Sequence, residues 1–241
     1  MINIGATYLG QERCHFRVWT PEIDRVELHL WAADAAGSAE PERLIPMQRQ
    51  GQGYHQATVD NVKPGSRYLY RLNGGEEWPD PVSRFQPEGV HHPSAVVDPH
   101  FDWQDQAWPG LPLPEFVIYE LHIGTFTEEG IFDAIIPHLE RLRELGITAL
   151  ELMVDACHQR GLAVILDVVY NHLGPEGAYL AKYGPCFTEQ YRTGWGTAVN
   201  LDGPYSDEVR NFFIQNALYW ITEFHAEFRL IFPTWRPRPK R

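Results

Sequence analysis

The hydrophobic period of the chain changes near residue 100, and this change constrains the fold more than any other feature. Before it, apolar and polar residues alternate, as in residues 25–31, where Val26, Leu28 and Leu30 share one face. The same alternation occurs in residues 14–19, 53–60 and 66–71, with turn residues at Pro64-Gly65 and Asn73-Gly74-Gly75. Several short strands at this spacing predict an immunoglobulin-like β-sandwich over residues 1–105.

A stretch rich in Pro and Trp, from Trp103 to Pro114, precedes a second pattern, and we predict a linker at residues 106–115. Continuous apolar runs at residues 116–121, 146–152 and 161–169 predict strands that are buried on both faces. Between the first two runs, a helical spacing predicts a helix over 133–145, with Pro137 in its first turn and Gly146 at its end. Its inward residues are Ile135, Ile136, Leu139, Leu142 and Leu145.

A long helix is predicted after Ser206-Asp207-Glu208, because these residue types favour a helix start. The alternation of strand and helix predicts parallel βα units over residues 116–232. The fold class predicted is a β-sandwich domain followed by an incomplete α/β (β/α)8-type barrel with about half of its βα units.

Composition excludes several classes of function. The chain has 20 Lys and Arg against 32 Asp and Glu, a net charge of −12, which opposes binding to nucleic acid. No apolar run is long enough for a membrane helix, and the N-terminus lacks the features of a signal peptide. Three distant cysteines have no metal-like spacing and argue against a disulfide framework. We therefore expect a soluble cytoplasmic protein without a cofactor or metal and with no nucleic-acid or membrane partner.

The sharpest local motif is the sequence DVVYNH, from Asp167 to His172, at the end of the third predicted strand of the second region. Polar residues at the carboxyl end of a barrel strand point toward the region where active sites lie. An acid, an amide and an imidazole here could bind sugar hydroxyls or a hard cation. Alternatively, Asp167 and Asn171 only hold a βα turn through backbone hydrogen bonds. An aromatic content of 13% fits sugar stacking but fits core packing as well.

DVVYNH after a strand resembles the first signature of the α-amylase superfamily of glycoside hydrolases. Further segments that fit one branch of it are residues 80–94 (DPVSRFQPEGVHHPS), 119–126 (YELHIGTF), 200–204 (NLDGP) and 206–210 (SDEVR). Together, over about the first 225 residues, these motifs resemble the maltooligosyltrehalose trehalohydrolase family, with glycogen branching enzymes as more distant relatives. The resemblance implies hydrolysis of the α-1,4 bond next to a terminal trehalose unit by a retaining pair of carboxyl groups.

The resemblance also implies roles for four residues. Asp167 and His172 would line the sugar subsite next to the cleaved bond, Asn171 would hold the loop, and Arg229 would be the partner of the nucleophilic carboxylate. Neither Asp167 nor His172 corresponds to the nucleophile or the general acid of the family. The ligand implied is an α-glucan or maltooligosyltrehalose.

The chain departs from the family in three places. Residues 116–241 are too few for a closed barrel, which takes at least about 200 residues. Between Met153 and Val154 a substrate loop of the family is deleted, and this leaves a crossover of about nine residues. Ile231 stands where the nucleophilic aspartate is expected, and an isoleucine cannot form a glycosyl-enzyme intermediate.

The segment after residue 232 is expected to be a disordered tail at 233–241, with four basic residues and three prolines. Its abrupt change of character suggests a shifted reading frame or an altered gene end, with the general acid of the family lying beyond it. Glu120, Glu151 and Glu176 are the other carboxylates considered, but no spacing places two of them close together.

Three hypotheses follow from the sequence. The chain is a trehalohydrolase-type enzyme by descent, but it is expected to be inactive for lack of a nucleophile and a general acid. Alternatively, it is a non-catalytic module that binds α-glucans, or a gene remnant that folds only in its N-terminal domain. Saturable binding without turnover would favour the module, and a stable proteolytic fragment near residues 1–110 would favour the remnant.

Overall fold

The computed structural model describes residues 4–33, 42–150, 154–170, 172–174, 176–231 and 236–237, with the backbone alone for residues 167, 192, 227–231 and 236–237. These residues form two compact units. One lies within residues 1–99, 171–215 and 234–241, and the other within residues 100–170 and 216–233.

The first unit contains the β-sandwich predicted from the alternating pattern. Its strands are β1 (Gly5–Gly10), β2 (Arg13–Trp19), β3 (Val26–Trp31), β4 (Arg43–Pro46), β5 (Gln48–Arg49), β6 (Tyr54–Asp60), β7 (Arg67–Leu72), β8 (Glu77–Trp78) and β9 (Ser94–Ala95). One sheet has the order β1-β2-β6-β5, and the other has the order β4-β3-β7-β8 with β9 also paired to β7. All of these pairings are antiparallel.

Inward residues from both sheets form a single core. Phe16, Val26, Leu28 and Tyr70 are fully buried in it, as the alternation predicts for β2, β3 and β7. The predicted turns are present as well: Gly65 and Gly74 have positive φ angles of 88° and 69°, which a glycine adopts without strain.

Further elements complete the chain. They are β10 (Ile118–Tyr119), α1 (Ile123–Phe126), α2 (Leu139–Glu144), β11 (Ala149–Leu150), α3 (Val154–His158), β12 (Ala163–Val169), α4 (Leu180–Tyr183), β13 (Phe187–Thr193), β14 (Gly196–Val199), α5 (Ser206–Phe224), β15 (Glu227–Ile231) and β16 (Arg236–Pro237). Short 3-10 helices occur at Gly51–Gly53, Leu113–Glu115 and Phe132–His138.

The second unit contains an open parallel sheet with the order β10-β11-β12-β15. Its helices α1, α2 and α3 lie between successive strands, so the prediction of βα units and of an incomplete barrel is confirmed. A core of apolar residues joins these elements, formed by Ile135, Leu139, Leu142, Leu150, Cys157, Leu162 and Val164. Despite the short connection, β11 and β12 remain parallel neighbours.

The prediction of a long, buried first strand at residues 116–121 is wrong. Only Ile118–Tyr119 pairs with a neighbour, and Val117 and Ile118 are about half exposed, at 51% and 50%. The reason is the position of β10 at the end of the sheet, where within the described residues it pairs on one side only. The apolar run does contain a strand. Whether that strand is buried depends on neighbouring strands, and a local sequence pattern does not predict those.

The predicted helix at 133–145 is divided. A 3-10 helix at Phe132–His138 contains Pro137, and α2 begins only at Leu139, because proline cannot donate the backbone hydrogen bond that an α-helix interior requires. Gly146, with φ of +87°, follows the helix end as predicted.

The ends of the predicted domains stay predictions. Of the expected tail at 233–241 the structure describes only Arg236–Pro237, whose backbone pairs with Tyr191 and Arg192 of β13. Residues 233–235 and 238–241 lie outside the described part. Cys14, Cys157 and Cys186 are buried, and none of the three forms a disulfide in the described structure.

Candidate functional site

Strands β12 and β15 bring three of the positions singled out in the sequence side by side. In the backbone register of this parallel pair, Asp167 is opposite Arg229, and Val169 is opposite Ile231. Because the carboxyl ends of parallel strands lie at one edge of a sheet, these positions share the edge where α/β enzymes bind their substrates. The side chains of Asp167, Arg229 and Ile231 lie outside the described residues, so their roles stay predictions.

Tyr170, the residue after β12, is fixed to the long helix α5. Its hydroxyl donates a hydrogen bond to Oδ1 of Asn216. Burial raises the pKa of Tyr170 to about 12, so the hydroxyl keeps its proton near neutral pH. The bond therefore holds the carboxyl end of β12 in a fixed position. No local sequence pattern predicts this contact, since its partners are 46 positions apart.

His172 lies in the first unit, where its imidazole stacks on the indole of Trp195. The ring centroids are 4.9 Å apart, and the ring planes differ by 15°. Trp195 is 71% exposed, which is unusual for the largest apolar side chain. The imidazole thus covers one face of an exposed indole, and we call these two side chains the His172–Trp195 pair.

Local hydrogen bonds hold Trp195 at the tip of the β13–β14 hairpin. The hydroxyl of Thr193 accepts a bond from the backbone N–H of Trp195 and donates one to the carbonyl of Gly196, each 3.1 Å long. At the side of the hairpin, the Tyr191 hydroxyl donates to Asp202, and this bond raises the pKa of Tyr191. Sequence reasoning missed Trp195, although its place between Gly194 and Gly196 indicates an exposed turn.

The segment after His172 is anchored to the sandwich within the first unit. The Tyr183 hydroxyl donates to the carbonyl of Pro79 at 2.8 Å, and the ring of Tyr179 lies 4.9 Å from that of Trp78. The imidazole of His91 bonds to both Glu176 and Tyr179. The polar residues at 80–94 that contributed to the family resemblance therefore include one that fixes this segment.

The other candidate residues from the sequence are Asn171, Glu120, Glu151 and Glu176. Asn171 and Glu151 lie outside the described residues. Glu120 and Glu176 are exposed and belong to different units.

Among the described residues, no group of three or more His, Cys, Asp or Glu side chains is arranged to hold a metal ion. No helix in the described part is long and apolar enough to cross a membrane.

Comparison with known proteins identifies the family. Residues 3–99 match carbohydrate-binding module 48, the isoamylase N-terminal domain. The chain is 41% identical to the malto-oligosyltrehalose trehalohydrolase of Saccharolobus solfataricus over an alignment that covers 92% of this chain. The chain belongs to the malto-oligosyltrehalose trehalohydrolase family. The resemblance found in the sequence is confirmed.

The chain spans less than half the length of its trehalohydrolase relatives. The alignment with the Saccharolobus enzyme covers 44% of that protein. It is also 257 positions long, although the whole chain here has 241 residues, so the relative carries residues without a counterpart in this chain. The extra residues of the relative agree with an internal deletion in this chain, but the alignment length does not show where the deletion lies.

Solved structures share the same fold. An α-amylase-like protein from Salmonella typhimurium is 35% identical, with a TM-score of 0.83, and the match covers 95% of this chain and 43% of that one. A pullulanase from Paenibacillus barengoltzii in complex with maltotriose is 22% identical, with a TM-score of 0.78 and coverage of 95% and 49%. The trehalohydrolase-type sandwich and the first part of the barrel thus recur within longer chains.

Proposed function

We propose that this chain binds the maltooligosyl part of an α-glucan and does not hydrolyse it. The observation that carries the proposal is the His172–Trp195 pair, in which an exposed indole lies against the imidazole of the DVVYNH motif. The family supplies the substrate class, since its members are named for maltooligosyltrehalose. The match of residues 3–99 to a carbohydrate-binding module supports the same class of ligand.

The chemistry of the pair suits a sugar. The C–H groups of a pyranose ring form an apolar face that packs on an aromatic plane, and the ring hydroxyls around it take hydrogen bonds. Trp195 offers the ring face that His172 does not cover, and His172 carries ring nitrogens that donate or accept a hydrogen bond. Because Thr193 holds the backbone of Trp195 and His172 stacks on its ring, part of the cost of ordering this side chain is met before a sugar binds.

The absence of hydrolysis follows from the residue at the nucleophile position. A retaining glycosidase needs two carboxyl groups about 5–5.5 Å apart, one of them a nucleophile. In our alignment with the family Ile231 occupies the nucleophile position, and its backbone lies at the end of β15, opposite Val169 of β12. An isoleucine has no lone pair with which to attack a sugar carbon.

Calorimetric titration with maltooligosyltrehalose and with linear maltooligosaccharides tests the proposal. We expect saturable binding and, in a parallel assay, no trehalose above a heat-killed control. Trp195→Ala should weaken binding about tenfold, the equivalent of losing one aromatic stacking contact of about 1.5 kcal/mol. Phe85→Ala is the matched control, because Phe85 is also exposed, at 53%, and belongs to the same unit. Absence of binding to the wild-type chain would refute the proposal.

A second candidate is the full trehalohydrolase reaction, favoured by the 41% identity to an enzyme of that name. Release of trehalose at ordinary enzyme rates would establish it and would show that Ile231 does not occupy the nucleophile position. The gene-remnant hypothesis predicts instead that limited proteolysis leaves a stable fragment near residues 1–110 and that no glucan binds.

A further inference from the structure

Asp105 is a buried carboxylate that two histidines share. Its side chain is 1% exposed, and it lies in the irregular segment between β9 and β10. Nδ1 of His158 is 2.8 Å from Oδ2 of Asp105. Nδ1 of His225 is 2.8 Å from the same oxygen and 3.0 Å from Oδ1. Each imidazole therefore donates through Nδ1–H to one carboxylate.

Two tryptophans of the same segment pack against the imidazole rings of these histidines. The ring of Trp108 stacks on His158 with centroids 4.7 Å apart and an interplanar angle of 12°. The ring of Trp103 lies 4.4 Å from that of His225 at an angle of 33°. The backbone N–H of Gln104 donates to Asp155 of α3 at 2.9 Å. The segment from Trp103 to Trp108 is thus joined to both histidines by ring contacts as well as by hydrogen bonds.

The two histidines lie just ahead of the two strands that carry the candidate site. His158 is the last residue of α3, and β12 begins five residues later, at Ala163. His225 follows α5 with a φ of +53°, a conformation that non-glycine residues rarely adopt, and β15 begins at Glu227. The carboxylate therefore joins the chain at the entrance of β12 to the chain at the entrance of β15.

We propose that Asp105 is a positioning residue that sets β15 against β12 through His158 and His225, and so fixes the backbone pairing of Asp167 with Arg229. The positioning of the strands does not rest on the proposed function. The family motifs recognised in the sequence do not include Asp105, His158 or His225 in this role.

A charged carboxylate is the side chain that this geometry requires. Both of its oxygens accept, and Nδ1–H of His225 lies within 3.0 Å of each of them. In an amide of the same shape, an NH2 group replaces one of these oxygens and repels that N–H. Although burial raises the pKa of Asp105, the hydrogen bonds from His158 and His225 outweigh it and lower that pKa. Asp105→Asn should therefore release one imidazole while it keeps the volume of the side chain.

The test compares Asp105→Asn with Asp102→Asn in the full chain. Asp102 is the matched control, because it lies three residues away and is exposed. We expect the nitrogen resonances of His158 and His225 to report the Nδ1–H tautomer in the wild type and in Asp102→Asn. In Asp105→Asn one histidine should lose this state, and amide hydrogens of residues 227–231 should exchange at least about tenfold faster, while those of β2 and β6 do not change.

A second variant keeps the proposal testable if Asp105→Asn fails to fold. His225→Gln removes only the half-exposed partner, whose side chain is 38% exposed. It should speed exchange in β15 and weaken the cross-strand nuclear Overhauser contact between Asp167 and Arg229, while His158 keeps its tautomer. Unchanged exchange in β15 in both variants would overturn the proposal.

Glucan titration of the same variants separates the two proposals. The His172–Trp195 pair and Asp105 belong to different units, so Asp105→Asn and Asp102→Asn should both bind maltooligosaccharides as tightly as the wild type does. A wild type that does not bind would refute the proposed function. The exchange and tautomer measurements would still decide the role of Asp105.

Discussion

At the scale of single residues, Asp80 is the clearest source of pH-dependent stability. It is buried in the sandwich, where the Tyr68 hydroxyl donates to it at 2.8 Å and the backbone N–H of Val82 donates at 2.9 Å. Burial raises the pKa of Asp80 to about 6, because these bonds only partly replace the lost water. The folded state therefore binds a proton that the unfolded state releases at a lower pH.

The expected contribution of Asp80 is a loss of sandwich stability as the pH rises from about 4, the pKa of an aspartate in an unfolded chain, through about 6. A shift of roughly two pKa units corresponds to about 3 kcal/mol in the free energy of unfolding. Urea unfolding at pH 4.5, 5.5 and 7 measures this change. Asp80→Asn should remove it, whereas Asp60→Asn, at a side chain that is 76% exposed, should retain it. An Asp80→Asn chain with the wild-type pH dependence would contradict the assignment.

Gly177 allows a prediction about steric fit. Its φ is +67°, and a Cβ added there would lie 2.6 Å from Cβ of Val90. Gly177→Ala should lower the free energy of unfolding by about 2–3 kcal/mol, the cost of a positive φ plus that of the clash. Gly10→Ala separates the two costs, because Gly10 has φ of +79° with nothing within 4 Å of the added Cβ. Equal losses in the two variants would show that Val90 moves aside at no cost.

Contacts between distant residues explain why parts of the site could not be predicted. Asp105 is 53 positions from His158 and 120 positions from His225, so no local pattern relates them. DVVYNH could be recognised because its residues are contiguous on one strand and the turn that follows it. The stacking of Trp195 on His172 depends instead on how a hairpin folds back within the first unit.

At the scale of elements, periodicity predicted which segments form strands and helices better than it predicted their ends. The sandwich strands differ from the predicted ones by a single residue at most ends, since alternation fixes both face and register. Leu145 was placed on the inner face of a helix from 133, yet it is 70% exposed. Pro137 delays the start of α2 to Leu139, and the helix ends before Leu145 completes another turn.

Helix α2 gives a prediction with an internal control. Leu139 is 1% exposed and packs with Ile135 and Leu150 in the core of the second unit. Leu139→Ala should lower the free energy of unfolding of that unit by about 2–4 kcal/mol, because it leaves a cavity. Leu145→Ala, one residue past the same helix, should change it by less than about 0.5 kcal/mol. Thermal unfolding followed by circular dichroism compares the variants, and similar losses would mean that α2 packs through a different face.

At the scale of the whole molecule, the two units differ in how completely their cores are enclosed. The sandwich closes its core between two sheets, and Cys14 is fully buried within it. The second unit has an open parallel sheet, at whose described edge Val117 and Ile118 are exposed, while Cys157 lies in its core. An exposed apolar edge lowers the area buried per residue, and so the second unit should be the less stable of the two.

The buried thiols report this difference directly. Burial raises the pKa of Cys14 and of Cys186 to about 12, so neither reacts as a thiolate in the folded chain near neutral pH. In rising urea, with a thiol reagent and mass mapping of the labelled peptides, Cys157 should be modified at a lower concentration than Cys14. Cys186 belongs to the first unit and should follow Cys14. If all three thiols are labelled at one midpoint, the chain unfolds as a single cooperative unit, and the open sheet is stabilised by more than its own core.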